Sequence, residues 1–342
     1  MRAIANYEFG GPEVLRVVDV PVPEPVEDEI RVAVRAAAVN PSDWKIRSGA
    51  LVFGGDRFPQ FPGWEIAGVV DALGPDAHGH AIGDPVFGWT RSGGYAQYAV
   101  SRALARKPVG LDWADAVALP IAVSTAAKVL DMLRLRAGET LLINGASGAV
   151  GSMAAQFAIA QGVTVIGTAS ERNQDVVGAL GALPTTYGPG LADRVWAIAP
   201  CGVDAVLDTA QHGGLPAAIE LRGGADRIIA IADFSAAQLG VTSAAPHGVD
   251  AVFDAGPPDT IEERGTTHRI IDYSAAWLSV PSTGGTPGPR SVERAAEVAK
   301  RVVAGDIRLP GPARTFALEH AALAQHEMEH GRGPGKVVLI VD

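Results

Sequence analysis

His326, Glu327 and His330, in the segment HEMEHG, have the types and spacing of the zinc-protease signature His-Glu-x-x-His. In that signature two histidines one helical turn apart bind zinc, and the glutamate between them acts as general base. A complete site needs a third ligand, and the chain that follows His330 contains no further histidine. The segment therefore has two interpretations, a metal site and an ordinary surface helix.

Helical periodicity favours the surface helix. One face of the helix is apolar and consists of Leu318, Ala321, Ala322, Ala324 and Met328. Both histidines lie at the edge of that face, where an i, i+4 pair binds metal at most adventitiously, and Glu327 is expected to point away. His78 and His80 form a second histidine pair in a polar loop, and we expect both to be exposed to solvent.

The segment NGASGAVG, residues 144–151, has the pattern of a phosphate-binding loop, with Ala146 in place of the usual first glycine. It follows a predicted strand and opens a predicted helix, which is the context that such a fingerprint requires. Gly148 lets the backbone approach a pyrophosphate, Gly151 lets helix and strand pack, and the helix N-terminus supplies free N–H donors. The loop predicts a dinucleotide site; the alternative is a tight turn without a ligand.

The end of the next strand, VTVIGTAS, bears on which dinucleotide binds. NAD sites usually carry an acidic residue there for the ribose hydroxyls, but this strand ends in Ala169 and Ser170. Ser170 and Arg172 have the donors to hold a 2′-phosphate, so NADPH is favoured. Glu171 argues against this choice, and the alternative for Arg172 is a solvated helix start.

The elements that position these residues follow from the hydrophobic pattern. The first hundred residues are predicted as β-structure, with a half-buried strand at 28–39. From residue 112 the chain is alanine-rich and helical, with Pro120 kinking or dividing the helix. Strands and helices then alternate regularly, which predicts a parallel, doubly wound sheet in an α/β fold. The loop at 281–290 is predicted from composition alone.

Composition limits the function classes. A chain of 342 residues with 47% hydrophobic and 19% charged residues is expected to form about two domains with real cores. A net charge of −10 argues against nucleic-acid binding. The N-terminus lacks a signal-peptide pattern, and no apolar run is long enough for a membrane helix. Cys201 is the only cysteine, which fits a reducing cytoplasm.

Motifs spread along the chain resemble the zinc-independent quinone oxidoreductase branch of the medium-chain dehydrogenase/reductase superfamily. They are NPSDWKIRSG, FPGWEIAGVV, GDPVFG, GGYAQYA, ALP with STA, NGASGAVG and GPGKVVL. The resemblance implies a GroES-like β-rich domain at 1–115, a Rossmann NADPH-binding domain at 116–307 and a segment at 308–342 that returns to the first domain. It also implies a homodimer. Residues 240–269 depart from the family, which leaves the substrate open.

The resemblance also addresses the metal question. Zinc-using relatives place a cysteine where this chain has Asn40 and a histidine where it has Trp64. An amide and an indole are poor zinc ligands, so we expect no catalytic metal. Relatives with a structural zinc carry four further cysteines, which a chain with a single cysteine lacks.

The resemblance implies Asn40 and Lys45 as catalytic candidates. The alternatives are a turn-capping role for Asn40 before Pro41 and a solvated surface position for Lys45. For the cofactor, the resemblance implies Thr125 near the nicotinamide and Tyr187 against the adenine, with the backbone around Thr209 and Ile231 at the carboxyl edge of the sheet. The remaining cofactor candidates, from the loop and the second strand, are Ser147, Gly148, Ala149, Val150, Ser170 and Arg172.

Reduction of a plain ketone produces an alkoxide that needs a Lewis acid or a strong proton donor. Hydride addition to an enone or quinone gives a delocalised enolate, which a few fixed donors can stabilise. We therefore expect an NADPH-dependent reductase of an activated C=C bond or quinone, acting on a small molecule, with a bulky biosynthetic enone as credible as a simple quinone. The alternatives are a metal-independent carbonyl or enoyl-thioester reductase and a non-catalytic NADPH-binding protein.

Overall fold

The structure is a computed structural model. It describes residues 1–51, 58–90, 92–210, 213–233, 235–244, 259–263, 266–270, 289–331 and 333–342, the segments 259–263 and 266–270 by their backbone only. The predicted loop at 281–290 therefore lies outside the described residues, except that a helix begins at Pro289. Most of the segment at 240–269 also lies outside them.

The described strands run through the whole chain. In order they are β1 (Arg2–Ala5), β2 (Arg16–Asp19), β3 (Ile30–Val39), β4 (Glu65–Leu73), β5 (Pro85–Trp89), β6 (Tyr98–Ser101), β7 (Ala103–Arg106), β8 (Thr140–Asn144), β9 (Thr164–Ala169), β10 (Leu183–Thr186), β11 (Ala205–Asp208), β12 (Ile228–Ala230), β13 (Thr242–Ser243), β14 (Asp259–Glu263), β15 (Thr266–Ile270), β16 (Arg314–Ala317) and β17 (Val337–Ile340).

All but the first of the described helices lie after residue 112. In order they are α1 (Pro41–Arg47), α2 (Trp113–Val117), α3 (Pro120–Leu133), α4 (Ala149–Ala160), α5 (Gln174–Ala179), α6 (Leu191–Ile198), α7 (Leu215–Arg222), α8 (Pro289–Ala304) and α9 (Ala321–His330).

One sheet gathers strands from both ends of the chain. Its order is β16-β17-β3-β4-β5-β7, and β6 also pairs with β3. The long strand β3 alternates buried and partly exposed residues over its first half, as its period-two pattern predicts, and is buried over its last four residues. Strand β17 pairs antiparallel with β3, with Leu339 opposite Ala37, so the C-terminal segment joins the first sheet. The domain boundaries at 115 and 307 stay predictions.

A second sheet has six strands in the order β10-β9-β8-β11-β12-β13, and each pair is parallel. This is the doubly wound order of a Rossmann fold, in which the strand order reverses between the first strand and the fourth. The reversal lies between β8 and β11. Ligands of such sheets bind in the crevice beyond the carboxyl ends of the strands at that point.

The alanine-rich segment at 113–133 is divided as Pro120 predicts, because α2 ends at Val117 and α3 begins at the proline. By length and apolar composition alone it would suffice to cross a membrane, with a mean hydropathy of 1.6. However, 67% of that stretch is buried in the protein, and Val123, Ala126 and Leu130 pack in the same core as β8 and α4. The segment is a core element of this fold.

Candidate active site

The glycine-rich loop connects β8 to α4 at the carboxyl edge of the parallel sheet. A Cβ added at Gly151 would lie 2.3 Å from the Gly145 carbonyl oxygen and 2.9 Å from the Ala146 Cα, so this glycine permits close packing of helix on loop. A Cβ at Gly148 would meet only the Gly145 oxygen, at 3.3 Å, and otherwise open space. Gly148 is exposed and is the N-cap residue of α4. The loop thus leaves room beside Gly148 for a ligand.

Neighbouring strand ends hold the loop in place. Thr209 donates from its backbone N–H and its Oγ1 to the Asn144 carbonyl oxygen, at 3.0 and 2.7 Å. The Ile231 N–H donates to the Asp208 carbonyl oxygen at 2.9 Å, which extends the same edge to β12. Both residues lie at the carboxyl edge, where the sequence places them. The two hydrogen bonds from Thr209 fix the start of the glycine-rich loop.

The other loop candidates lie at the helix start. Ser147, Ala149 and Val150 are all partly buried. The Ser147 Oγ accepts a long hydrogen bond of 3.4 Å from the Asn173 side-chain amide, on the turn that follows β9. The structure therefore brings the glycine loop and the end of the second strand together.

At the end of β9, the Oγ of Ser170 is buried and has no hydrogen-bond partner among the described residues. A buried hydroxyl without a partner is costly, so a ligand polar group is expected to satisfy it. Arg172 and Glu171 are both exposed. The structure thus places a sheltered hydroxyl and an exposed guanidinium two residues apart, next to the loop.

Two further candidates lie on elements around the crevice. Thr125 is partly buried in α3, and Tyr187 is partly buried directly after β10, the strand beside β9. Tyr187 therefore lies at the carboxyl end of the edge strand of the sheet; its contact with an adenine stays a prediction.

Asp208, at the end of β11, was not singled out by the sequence. Its Oδ1 accepts the Ala210 N–H at 2.8 Å, whereas its Oδ2 is buried without a partner in the described structure. Burial raises the pKa of Asp208 to about 6, against the lowering effects of the Ala210 N–H and the neighbouring Asn144 side chain. A titratable group therefore lies beneath the crevice, adjacent to Thr209.

A buried polar network surrounds Asn40 at the start of α1. The Asn40 Nδ2 donates to Glu65 Oε2 at 2.8 Å, and Lys336 Nζ donates to Asn40 Oδ1 at 2.6 Å and to Glu65 Oε2 at 3.0 Å. The other oxygen of Glu65 accepts the N–H of Ile121, in the first turn of α3, at 2.7 Å. Glu65 is fully buried, and Asn40 and Lys336 nearly so. The Asn40 amide is thus oriented by protein groups at both of its ends.

Asp43 supplies the local cap of α1, because its carboxylate accepts the Asn40 N–H at 2.7 Å. The same oxygen accepts the Tyr95 hydroxyl at 2.8 Å. Burial raises the pKa of Asp43 to about 7, and these two donors oppose the shift. Asn40 does occupy the capping position that was one alternative, but its side chain is engaged with Glu65 and Lys336.

Lys45 is buried, so the alternative of a solvated surface lysine is wrong. Its ammonium donates to the Ala232 carbonyl oxygen at 3.1 Å, just beyond the end of β12. Burial lowers the pKa of Lys45, and the nearby Asp233 partly opposes this. The side chain therefore reaches from α1 to the carboxyl edge of the parallel sheet.

Sequence reasoning missed Glu65 and Lys336 as site residues. Both lie in motifs that carry the family resemblance, GWEIAG and GPGKVVL, but neither motif reveals that the two side chains meet. The available signal was Glu65, a charged residue at the start of the apolar strand segment EIAGVV. Such a residue is seldom buried unless it is paired, so its position indicates a buried partner.

The HEMEHG segment forms the end of α9, as predicted. His326 and His330 are exposed, their ring centroids are 4.4 Å apart, and Leu318, Ala321 and Ala324 are buried. Glu327 does not point freely away, because it forms an ion pair with Arg314 of β16. Among the described residues, no group of three or more His, Cys, Asp or Glu side chains is arranged to hold a metal ion.

The second histidine pair differs from expectation in one member. His78 is exposed, but His80 is partly buried, and its Nδ1 lies 3.9 Å from the Asp84 carboxylate. Burial lowers the pKa of His80, and the nearby Arg106 adds to this effect. His80 is therefore part of a charged cluster at the loop base.

Comparisons with known sequences agree with this architecture. Residues 26–109 match the family described as the alcohol dehydrogenase GroES-like domain. The quinone oxidoreductase of Sus scrofa is 30% identical over 352 residues, which cover 100% of this chain and 98% of that protein. The quinone oxidoreductase of Homo sapiens is 40% identical over 183 residues, covering 52% of this chain and 55%, about half, of that protein.

A chloroplastic protein of Arabidopsis thaliana, named NADPH-dependent alkenal/one oxidoreductase, is 34% identical over 196 residues, which cover 53% of this chain and 51% of that protein. Among solved structures, the quinone oxidoreductase from Coxiella burnetii has a TM-score of 0.76 and 26% identity, covering 100% of this chain and 99% of the other. A mycobacterial protein solved in complex with NADPH has a TM-score of 0.75 and 26% identity, with 99% and 100% covered.

The Coxiella burnetii structure superposes on the whole of this chain, which includes both the GroES-like sheet and the doubly wound sheet, and the Sus scrofa protein aligns over the same length. On that evidence the chain belongs to the quinone oxidoreductase branch of the medium-chain dehydrogenase/reductase superfamily, a group of oxidoreductase enzymes.

Proposed function

We propose that this chain is an NADPH-dependent, zinc-independent reductase of an activated carbon–carbon double bond or a quinone. The main support for the proposal is the environment of Asn40. Its side-chain amide is hydrogen-bonded to the Glu65 carboxylate and the Lys336 ammonium, so it is already occupied by protein groups. Zinc-using relatives have a thiolate at this position. With an amide here and an indole at Trp64, the donor set does not suit zinc.

The residues of the crevice fit a phosphorylated dinucleotide. The open space beside Gly148, the N–H groups at the start of α4 and the buried Ser170 hydroxyl, which lacks a partner in the described structure, are all places for phosphate oxygens. Arg172 adds a positive charge near Ser170. The NADPH named for the Arabidopsis relative and bound in the mycobacterial structure supports the same choice of cofactor. When bound, NADPH would supply the hydride.

Lys45 is the residue that we assign to the electron-rich oxygen of the substrate. Its ammonium is buried at the edge of the parallel sheet, where water screens charge poorly, so it would stabilise a developing enolate oxygen. Because burial lowers the pKa of Lys45, it releases a proton more readily than an exposed lysine does. Asn40 would act by fixing the start of α1 rather than by touching substrate.

The test compares acceptors of NADPH after the protein has been dialysed against a chelator. We expect NADPH oxidation with an α,β-unsaturated ketone and with a quinone, none with the matched saturated ketone, and no stoichiometric zinc by elemental analysis. Reduction of the saturated ketone that is lost on chelation would overturn the metal-independent assignment. Tight NADPH binding without turnover of any acceptor, thioester enones included, would instead indicate a non-catalytic binding protein.

A further inference from the structure

Lys336 is a buried lysine whose charge the proposed reaction does not use. Its side chain is 6% exposed, and its ion-pair partner, Glu65, has no exposed side-chain surface. Lysine and glutamate are seldom buried to this extent unless they are paired, and desolvating both charges opposes folding. A neutral pair of similar size would in general serve stability as well. Stability alone therefore does not explain why a charged lysine is buried here.

The network that contains Lys336 joins three distant parts of the chain. Lys336 precedes β17, Asn40 caps α1, and Glu65 begins β4. Through its second oxygen, Glu65 also accepts the N–H of Ile121 at the start of α3. Helix α1 contains Lys45 and helix α3 contains Thr125, both candidate site residues. The N-terminal ends of these two helices are therefore bound to the same carboxylate, that of Glu65.

The ammonium also decides which way round the Asn40 amide lies. Lys336 can only donate hydrogen bonds, so it requires the amide oxygen, and Glu65 can only accept them, so it requires the amide nitrogen. The observed contacts, Lys336 to Oδ1 and Glu65 to Nδ2, satisfy both requirements. Without the two charges, the amide would have no such constraint.

We propose that Lys336 is a positioning residue whose fixed positive charge sets the Asn40 amide and, through Glu65, the relative placement of α1 and α3. The inference rests on the proposed function, because its main readout is reductase turnover. Lys336 acts through Asn40 and Glu65 and does not donate to substrate.

Two variants separate positioning from simple stabilisation. In Lys336→Met, Glu65 is left as a buried charge without a partner, which should lower the melting temperature by roughly 5–10 °C. In the double variant Lys336→Met/Glu65→Gln the unpaired charge of Glu65 is removed as well, so the melting temperature should return to within about 3 °C of the wild-type value. In the double variant, the amide oxygen at position 65 would still accept the Ile121 N–H, so its NH₂ group would face Asn40. The Asn40 amide would then have to turn over, because two NH₂ groups cannot face each other.

Turnover should not follow the recovery of stability. We expect kcat to stay at least about tenfold below wild type in the double variant, because a shifted α1 misplaces Lys45, the residue assigned to the substrate oxygen. The Kd of NADPH, measured by fluorescence titration, should stay within about threefold, because the glycine loop lies outside the network. Lys128→Met, at an exposed lysine of α3, is the matched control and should leave melting temperature, Kd and kcat unchanged.

Each other outcome counts against the proposal. A double variant with wild-type kcat would reduce Lys336 to a structural ion pair. A double variant as unstable as Lys336→Met would show that charge pairing is not what the network contributes. If the wild-type protein itself turns over neither enone nor quinone, the proposed function fails. If the wild type turns over and the double variant does so at the same rate, only the positioning role fails.

Discussion

Gly148, the N-cap of α4, and Gly151, in the first turn of that helix, lie three residues apart and have different roles in the structure. An alanine at 151 would bring its Cβ to 2.3 Å from the Gly145 carbonyl oxygen, about 1 Å inside ordinary contact, and to 2.9 Å from the Ala146 Cα. Both atoms belong to the backbone, so α4 as a whole must shift. An alanine at 148 has no such conflict, since its nearest neighbour is the Gly145 oxygen at 3.3 Å and its φ is −80°.

We expect the two variants to fail in different assays. Gly151→Ala should lose about 3 kcal/mol of stability, the upper end of the usual cost of overpacking, and roughly 5–10 °C in melting temperature. Gly148→Ala should lose about 1 kcal/mol or less, because alanine is a poorer N-cap than glycine. Its methyl group would occupy the open space where a pyrophosphate is expected, so NADPH affinity should fall about 100-fold, or about 3 kcal/mol.

Scanning calorimetry of the free proteins and fluorescence titration with NADPH measure the two effects separately. The informative quantity is the ratio of lost affinity to lost stability, which should be large for Gly148→Ala and small for Gly151→Ala. Wild-type NADPH affinity in Gly148→Ala would refute the assignment of this loop as the phosphate site. An unchanged melting temperature in Gly151→Ala would refute the packing argument.

Three further substitutions test other parts of the site. Ser170→Ala should weaken NADPH binding about tenfold and leave NADH binding unchanged, since only NADPH offers a 2′-phosphate to the hydroxyl; an equal loss for both cofactors in titration would contradict it. Lys45→Met should lower kcat at least about tenfold in steady-state assays, and undiminished turnover would remove Lys45 from the mechanism. Because the pKa of Asp208 is raised from 3.8 to about 6, its stabilising effect is present below pH 4 and is lost as the pH rises through 6. Asp208→Asn should therefore be more stable than wild type above pH 6, by on the order of 2–3 kcal/mol in urea unfolding at pH 8. A stability difference between variant and wild type that is the same at pH 4 and pH 8 would contradict this.

Local pattern was enough for much of the fold. The period-two segment at 28–39 forms β3, the proline at 120 divides the helix, and LPAAIELR forms α7 over its full length. In each case the signal is a property of a few consecutive residues. Strand β10 was missed because it is short and contains Pro184, and helix α1 was missed because its seven residues carry no helical periodicity of their own.

The residues of the candidate site also fall into those that local sequence rules predict and those that they do not. The glycine loop, Thr209, Ile231 and Ser170 come together because the ends of parallel strands meet at one edge, a rule that applies to sequence directly. The pairing of Lys336 with Glu65 spans 271 positions along the chain, and no local pattern specifies it. The burial of Lys45 likewise depends on Ala232, 187 positions away.

Strand β17 lies beside β3, between a strand that ends at residue 39 and one that begins at residue 314. During synthesis the doubly wound sheet can assemble as its consecutive strands emerge, whereas residues 36–39 of β3 cannot pair with β17 until residues 337–340 have left the ribosome. The doubly wound sheet can therefore be complete while the first sheet still lacks β17.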